Sequence, residues 1–233
     1  LRPAFPAAAP AAVVVLAAGI GYLAGGTETG SHVPTGSASA AVSILSSETP
    51  EPVPDVLIAG KPYSAALTEL DLSGAGLTDQ DLRDLSQMTQ LTSLSLANNP
   101  DITDLSAISG LTGLTSLNIM DTGVFDLSPL AGLVHLEELM IANPDVSDLS
   151  PLSSLSRLKI LRLDNGSLIS SQITDLSPLA GLSGLEQLYI PPMPDYTDFS
   201  CLSGLTHLRV LRMVGTRESG SNHVDSLEFL KNM

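Results

Sequence analysis

One short pattern constrains this chain more than anything else in it: Leu, two variable residues, Leu, one variable residue, then a third apolar residue. Its clearest copy is Leu158-Lys159-Ile160-Leu161-Arg162-Leu163. Copies begin at Leu67, Leu91, Leu114, Leu136, Leu158, Leu185 and Leu208, a near-constant interval that is widest between Leu158 and Leu185. A unit this short cannot close a core of its own and buries its apolar side only against the units before and after it. Seven copies exceed the roughly three that such a stack needs. Residues 67–233 therefore read as one repeat array.

Within each copy the inner pair alternates with period two: Leu70/Leu72, Leu94/Leu96, Leu117/Ile119, Leu139/Ile141, Leu161/Leu163, Leu188/Ile190 and Leu211/Met213. That spacing makes a short strand, and stacked units make a parallel sheet. The return arm carries Asp-Leu-Ser-Pro-Leu or a variant, in which Ser followed by Pro opens a helical turn. The arm is too short for a long helix, which predicts 3₁₀ turns. The expected fold is an α/β class solenoid of about seven repeats. Its parallel β-sheet lines a concave face, and its convex face carries short 3₁₀ turns. Ahead of it, residues 55–66 read as a capping hairpin that covers the apolar edge of the first unit.

The segment ahead of Asp55 has a different character. No charge falls between Pro3 and Thr27, and Val13 to Leu23 is strongly apolar. An uncharged run of that length can span about 30 Å of bilayer as a helix, with Arg2 on the cytoplasmic side. Residues 1–27 are therefore expected to be a signal-anchor, or a cleavable signal peptide in the alternative. Residues 28–54 are rich in Ser, Thr, Gly and, towards their end, Pro. They lack the apolar surface to fold and read as a disordered stalk.

Lys and Arg total 10 against 25 Asp and Glu, for a net charge of −15. That balance argues against nucleic acid as a partner, since its affinity comes largely from basic residues on phosphates. Cys201 is the only cysteine, which excludes a disulfide framework or cysteine-based zinc cluster. It takes the slot of Pro129, Pro151 and Pro178 and reads as a packing residue. Asp81, Asp104, Asp126, Asp148, Asp175 and Asp198 share one repeat position, where the seventh unit has Ser226. A calcium row is conceivable there. Each Asp, however, precedes a turn start and can accept backbone N–H bonds, and capping is the preferred reading. His135 and His207 each precede a repeat-opening Leu and read as exposed connector residues. No Gly-x-Ser-x-Gly elbow or phosphate loop is present, so no enzymatic activity and no cofactor is expected.

The run Leu-x-x-Leu-x-Leu, followed by Ile173-Thr174-Asp175-Leu176-Ser177-Pro178-Leu179 and Leu182, resembles the internalin-type class of bacterial leucine-rich repeats, whose period is short for such repeats. The resemblance covers about residues 55–233. It implies a curved solenoid, a concave binding face and display at the cell surface. Of the asparagine ladder typical of such repeats, Asn99 is in register, and Asn143 and Asn165 are shifted by one. No helical cap, immunoglobulin-like segment or wall-sorting signal is legible, so host-cell invasion is not carried over.

Insertions in solenoids form projecting loops. Residues 164–172 make one in the fifth unit, residues 215–223 lie at the equivalent place in the seventh, and Asp195-Tyr196 lies in the sixth. Leu227, Phe229 and Leu230 are candidates to close the stack. On the strands, the outward residues of the first three units are small or acidic: Glu69/Asp71, Ser93/Ser95 and Ser116/Asn118. Those of the last four include Met140, Ile160, Arg162, Tyr189, Val210 and Arg212, with Tyr189 between two arginines one unit away on either side. Aromatic and Arg clusters ringed by polar groups form binding hot spots. These six are the expected ligand-binding site on the concave face. The chain thus reads as a recognition module, non-catalytic and membrane-anchored, whose repeats face outward from a bacterial cell. It would be secreted if the first segment is cleaved. A protein or peptide is the expected ligand, and a glycan is the alternative. Two other readings are an intracellular scaffold or regulatory subunit, and the sensor domain of a larger membrane-anchored enzyme.

Overall fold

The computed structural model describes residues 55–164, 171–193 and 198–213. The expected anchor and stalk (1–54) lie outside that set. So do Asn165, most of the fifth-unit insertion, Asp195-Tyr196, the 215–223 loop and the closing residues Leu227, Phe229 and Leu230. Among the described residues no helix is long and apolar enough to cross a membrane.

Two short strands, β1 (Asp55–Ile58) and β2 (Lys61–Ser64), form an antiparallel hairpin. Ala59 and Gly60 join them, both with positive φ, as a two-residue hairpin turn requires. Val56 and Ile58 point inward and are buried, while Leu57 between them is 58% exposed. The inward face joins the core of the first coil and packs beside the turn Arg83–Gln87. It covers the side of Leu70 and Leu72 that has no preceding coil.

The repeats follow. Strands β3 (Glu69–Asp71), β4 (Ser93–Ser95), β5 (Ser116–Asn118), β6 (Glu138–Met140), β7 (Ile160–Arg162), β8 (Gln187–Ile190) and β9 (Val210–Met213) form a parallel seven-stranded sheet in sequence order. The register places Leu70, Leu94, Leu117, Leu139, Leu161, Leu188 and Leu211 in one row. The inner five of these are at most 1% exposed. Burying a Leu is worth roughly 1.5–3 kcal/mol, and each coil contributes several such rows.

Each return arm contains a 3₁₀ turn: Arg83–Gln87, Ser106–Ile108, Ser128–Leu130, Ser150–Ser154, Ser177–Leu179 and Ser200–Gly204. Pro129, Pro151 and Pro178 sit in the first positions of theirs, where a missing N–H costs nothing. Cys201 takes the same place in the last turn and is partly buried against the core.

Corners between strand and arm carry backbone groups that the sheet does not satisfy. In the second coil Asn99 is wholly buried. Its Oδ1 accepts the Leu77 N–H (3.0 Å), and its Nδ2 donates to the carbonyls of Leu72 (3.0 Å) and Leu96 (2.8 Å). Removing such a side chain leaves buried donors and acceptors unpaired, at about 1–3 kcal/mol for each group. Asn143 does the same work despite its shift by one. Its Oδ1 accepts the Thr122 N–H (3.2 Å), and its Nδ2 donates to Thr122 Oγ1 and the Val124 carbonyl. The first three coils insert a residue with positive φ at this corner: Gly74, Asn98 and Asp121. The fourth coil lacks one, so its Asn turns inward one residue earlier.

Gly123 marks the tightest approach between coils. A Cβ there would lie 2.6 Å from the Pro100 carbonyl oxygen and 3.2 Å from that of Ile102. Gly123→Ala is expected to lower stability by about 1–3 kcal/mol, because backbone must move to admit the methyl group. Gly110→Ala, which meets nothing within 4 Å, should leave it unchanged within about 0.5 kcal/mol. Urea denaturation of the two variants beside the parent checks both values.

Candidate functional site

The sheet presents two outward rows. One runs Glu69, Ser93, Ser116, Glu138, Ile160, Gln187, Val210, and the other Asp71, Ser95, Asn118, Met140, Arg162, Tyr189, Arg212. Neighbours along a row are one strand spacing apart, about 4.8 Å. Side chains as distant in sequence as Glu69 and Val210 thereby share one surface. The character changes along it. Over β3 to β5 hydroxyls and carboxylates bond one another: Ser73 Oγ meets Ser95 Oγ at 2.7 Å and also donates to Asp71, and Ser116 Oγ donates to Glu138 (3.4 Å). Over β7 to β9 the surface is aromatic, apolar and cationic.

There the structure brings Arg162, Tyr189 and Arg212 side by side. The Arg162 guanidinium carbon lies 4.6 Å from the centre of the Tyr189 ring. A cation over an aromatic face contributes about 0.5–2 kcal/mol, more as water is excluded. Tyr189 Oη donates to Gln187 Oε1 at 3.0 Å, which fixes the ring on the strand. Arg162 Nε is buried without a hydrogen-bond partner among the described residues. Ile160 is half-buried, Val210 is 39% exposed and Arg212 is exposed. Met140 departs from the expected pattern: it is only 7% exposed, between its row neighbours Asn118 and Arg162, and offers little free surface.

One position before these strands lies a row that sequence reasoning passed over: Thr68, Thr92, Thr115, Glu137, Lys159, Glu186 and Arg209. Its last four members alternate in sign. Lys159 Nζ pairs with Glu137 Oε2, and Arg209 reaches Glu186 at 3.9 Å. The Lys159 hydrogen bond and charge hold the Glu137 carboxyl below its ordinary value, and Glu137 in turn raises Lys159. The signal was available, since the residue after each repeat-opening Leu alternates in sign over these units.

The shared aspartates are used by the turns. Asp104, Asp126, Asp148, Asp175 and Asp198 each accept the N–H of the Ser two positions on, at 2.7–2.9 Å. Asp81 bonds backwards instead, to the N–H and hydroxyl of Thr78. Among the described residues no three His, Cys, Asp or Glu side chains converge on a metal position. The His135 and His207 rings are exposed, and each meets a carbonyl of the preceding coil through Nδ1, Thr112 at 3.0 Å and Ser183 at 2.9 Å. Both histidines therefore join coils.

Compared with solved structures, the chain is similar to an internalin C2 from Listeria monocytogenes. The two share 26% identity over 74% of this chain and 81% of that one, with a TM-score of 0.57. The fold is thus that of an internalin-type leucine-rich repeat solenoid. A second Listeria monocytogenes internalin matches at 24% identity over 74% of this chain and 61% of its own, with a TM-score of 0.49. A leucine-rich repeat protein of Leptospira interrogans matches at 16% identity over 66% and 50%, with a TM-score of 0.42. No family profile matches the sequence, and no curated protein is similar to it by sequence. The likeness supports a protein-binding recognition module in general terms.

Several carboxylates hold backbone N–H groups of the coils and titrate with folding. Burial pushes Asp79 up, but the N–H groups of Asp104 and Thr103 and the Thr103 hydroxyl outweigh it, so its carboxyl sits below the ordinary aspartate value. Backbone and hydroxyl donors at Thr78, Ser150 and Ser200 likewise lower Asp81, Asp148 and Asp198. A carboxyl depressed in the folded state stabilises fully above its unfolded value and loses that contribution as pH falls through the folded one. The urea midpoint should therefore fall between about pH 5 and about pH 2. Asp79→Ala should lower the midpoint at the upper end and flatten the acid slope, both read from urea curves at the two pH values.

Proposed function

We propose that the chain is a non-catalytic recognition module, displayed outside a bacterial cell, which holds a protein ligand on the C-terminal half of its concave face. The observation that carries this reading is the Arg162–Tyr189 stack with Arg212 on the next strand. Tyr and Arg on a rigid sheet offer large contact area at small entropic cost, as hot-spot residues do. Ile160 and Val210 flank them in the neighbouring row and supply apolar surface. Met140, mostly buried, contributes little area of its own. Display at the surface is supported by the likeness to a Listeria internalin and by the uncharged segment 3–27. A membrane anchor in that segment remains part of the proposal.

Tyr189→Ala or Arg162→Ala should weaken ligand binding by about 1–3 kcal/mol while the thermal unfolding midpoint holds, as read by calorimetric titration and melting curves. Unchanged affinity in both variants would move the site elsewhere. Protease treatment of intact cells should remove the repeat domain while a cytoplasmic control survives. Full protection until lysis would instead favour the intracellular scaffold.

A further inference from the structure

The charges of the chain are unevenly distributed. Residues 1–156 hold 3 of the 10 basic residues and 17 of the 25 acidic ones, while residues 157–233 hold 7 and 8. The first stretch thus carries almost all of the net negative charge, and the second is close to neutral. Within the second stretch the cations of the strands divide again. Lys159 and Arg209, in the row before the strands, are each paired with a carboxylate of the preceding coil. Arg162 and Arg212, in the outward row, have no carboxylate partner among the described residues. Arg162 is held by the Tyr189 ring, a neutral partner. The opposite end of the same row is Asp71, beside Glu69 in the other row, with Glu138 midway. The concave face is therefore a charge gradient, negative over β3 and positive over β7 to β9.

We propose that the ligand of the concave face is an extended protein segment with an acidic cluster that docks on Arg162, Tyr189 and Arg212. A basic residue of the same segment meets Glu69 and Asp71. This rests on the concave site proposed above and specifies its partner. The anion must be local: a long polyanion laid across the sheet would run into the carboxylates of Glu69, Asp71 and Glu138, within a chain of net charge −15. Spacing follows from the sheet. Asp71 and Arg162 are four strand steps apart and Asp71 and Arg212 six, or about 19 and about 29 Å at about 4.8 Å per step. An extended chain advances about 3.3 Å per residue, so the two charges of the ligand lie about six to nine residues apart.

The test is selection of a random dodecapeptide library on the full chain and on its Arg212→Glu, Asp71→Lys and Tyr189→Ala variants, followed by affinities of the enriched synthetic peptides. Arg212 and Asp71 are exposed, and melting curves check that their variants fold as the parent does. Expected are peptides with clustered Asp or Glu and a Lys or Arg about six to nine positions away. Their affinity should fall about tenfold or more in Arg212→Glu, fall less in Asp71→Lys, and weaken as salt rises. Peptides without acidic residues, indifferent to Arg212→Glu but lost in Tyr189→Ala, would overturn the acidic partner and leave the concave site standing. Peptides indifferent to all three variants, or no enrichment, would overturn both. Heparin binding more tightly than any peptide at physiological salt would replace the protein segment with a sulfated glycan and also overturn the proposal.

Discussion

No coil of this chain can bury its own leucines. Each has one short strand and one short turn, and its apolar side chains point into a layer closed only by the next coil. Every other regularity follows from that dependence. Neighbours must match in register, so Leu70 through Leu211 fall in one row. The backbone at each buried corner must also be satisfied from within the stack. Asn99 and Asn143 do this on one side. Asp79 links its coil to Thr103 and Asp104 of the next on another. The first coil has no predecessor, and the hairpin of β1 and β2 stands in for one.

The same dependence leaves the outward rows free. Residues pointing away from the core contribute little to stacking, so their chemistry can vary from strand to strand without disturbing it. In the row before the strands that freedom goes to alternating charges that pair between coils. In the outward row it goes to a tyrosine and two arginines. The proposed recognition role suits such a surface, because the sheet holds these side chains at fixed spacing and a ligand would have only itself to order.

Much of the architecture was legible in advance because the core obeys a simple spacing rule. The strands, their order, the short turns and the capping role of the aspartates all follow from where Leu, Pro and Asp recur. What the pattern did not show lay where one coil departs from the average. Asn143 stands in the ladder with its shift by one, because the fourth coil drops the positive-φ residue of its neighbours. Met140 counted as binding surface because it alternates with Leu139 and Ile141, but it is only 7% exposed. His135 and His207 are exposed, as their connector slot implied, and each ring also reaches back to a carbonyl of the previous coil.

By itself the sequence determined that this chain is a stack of leucine-rich coils and which side chains face outward. Both depend on periodicity, which needs no knowledge of distant contacts. Only the tertiary structure decided which outward residues are accessible, which cations are neutralised, and that the Arg162 guanidinium lies on the Tyr189 ring. Those outcomes turn on rotamers, corner geometry and contacts between side chains a whole coil apart in sequence, none of which a repeat pattern encodes.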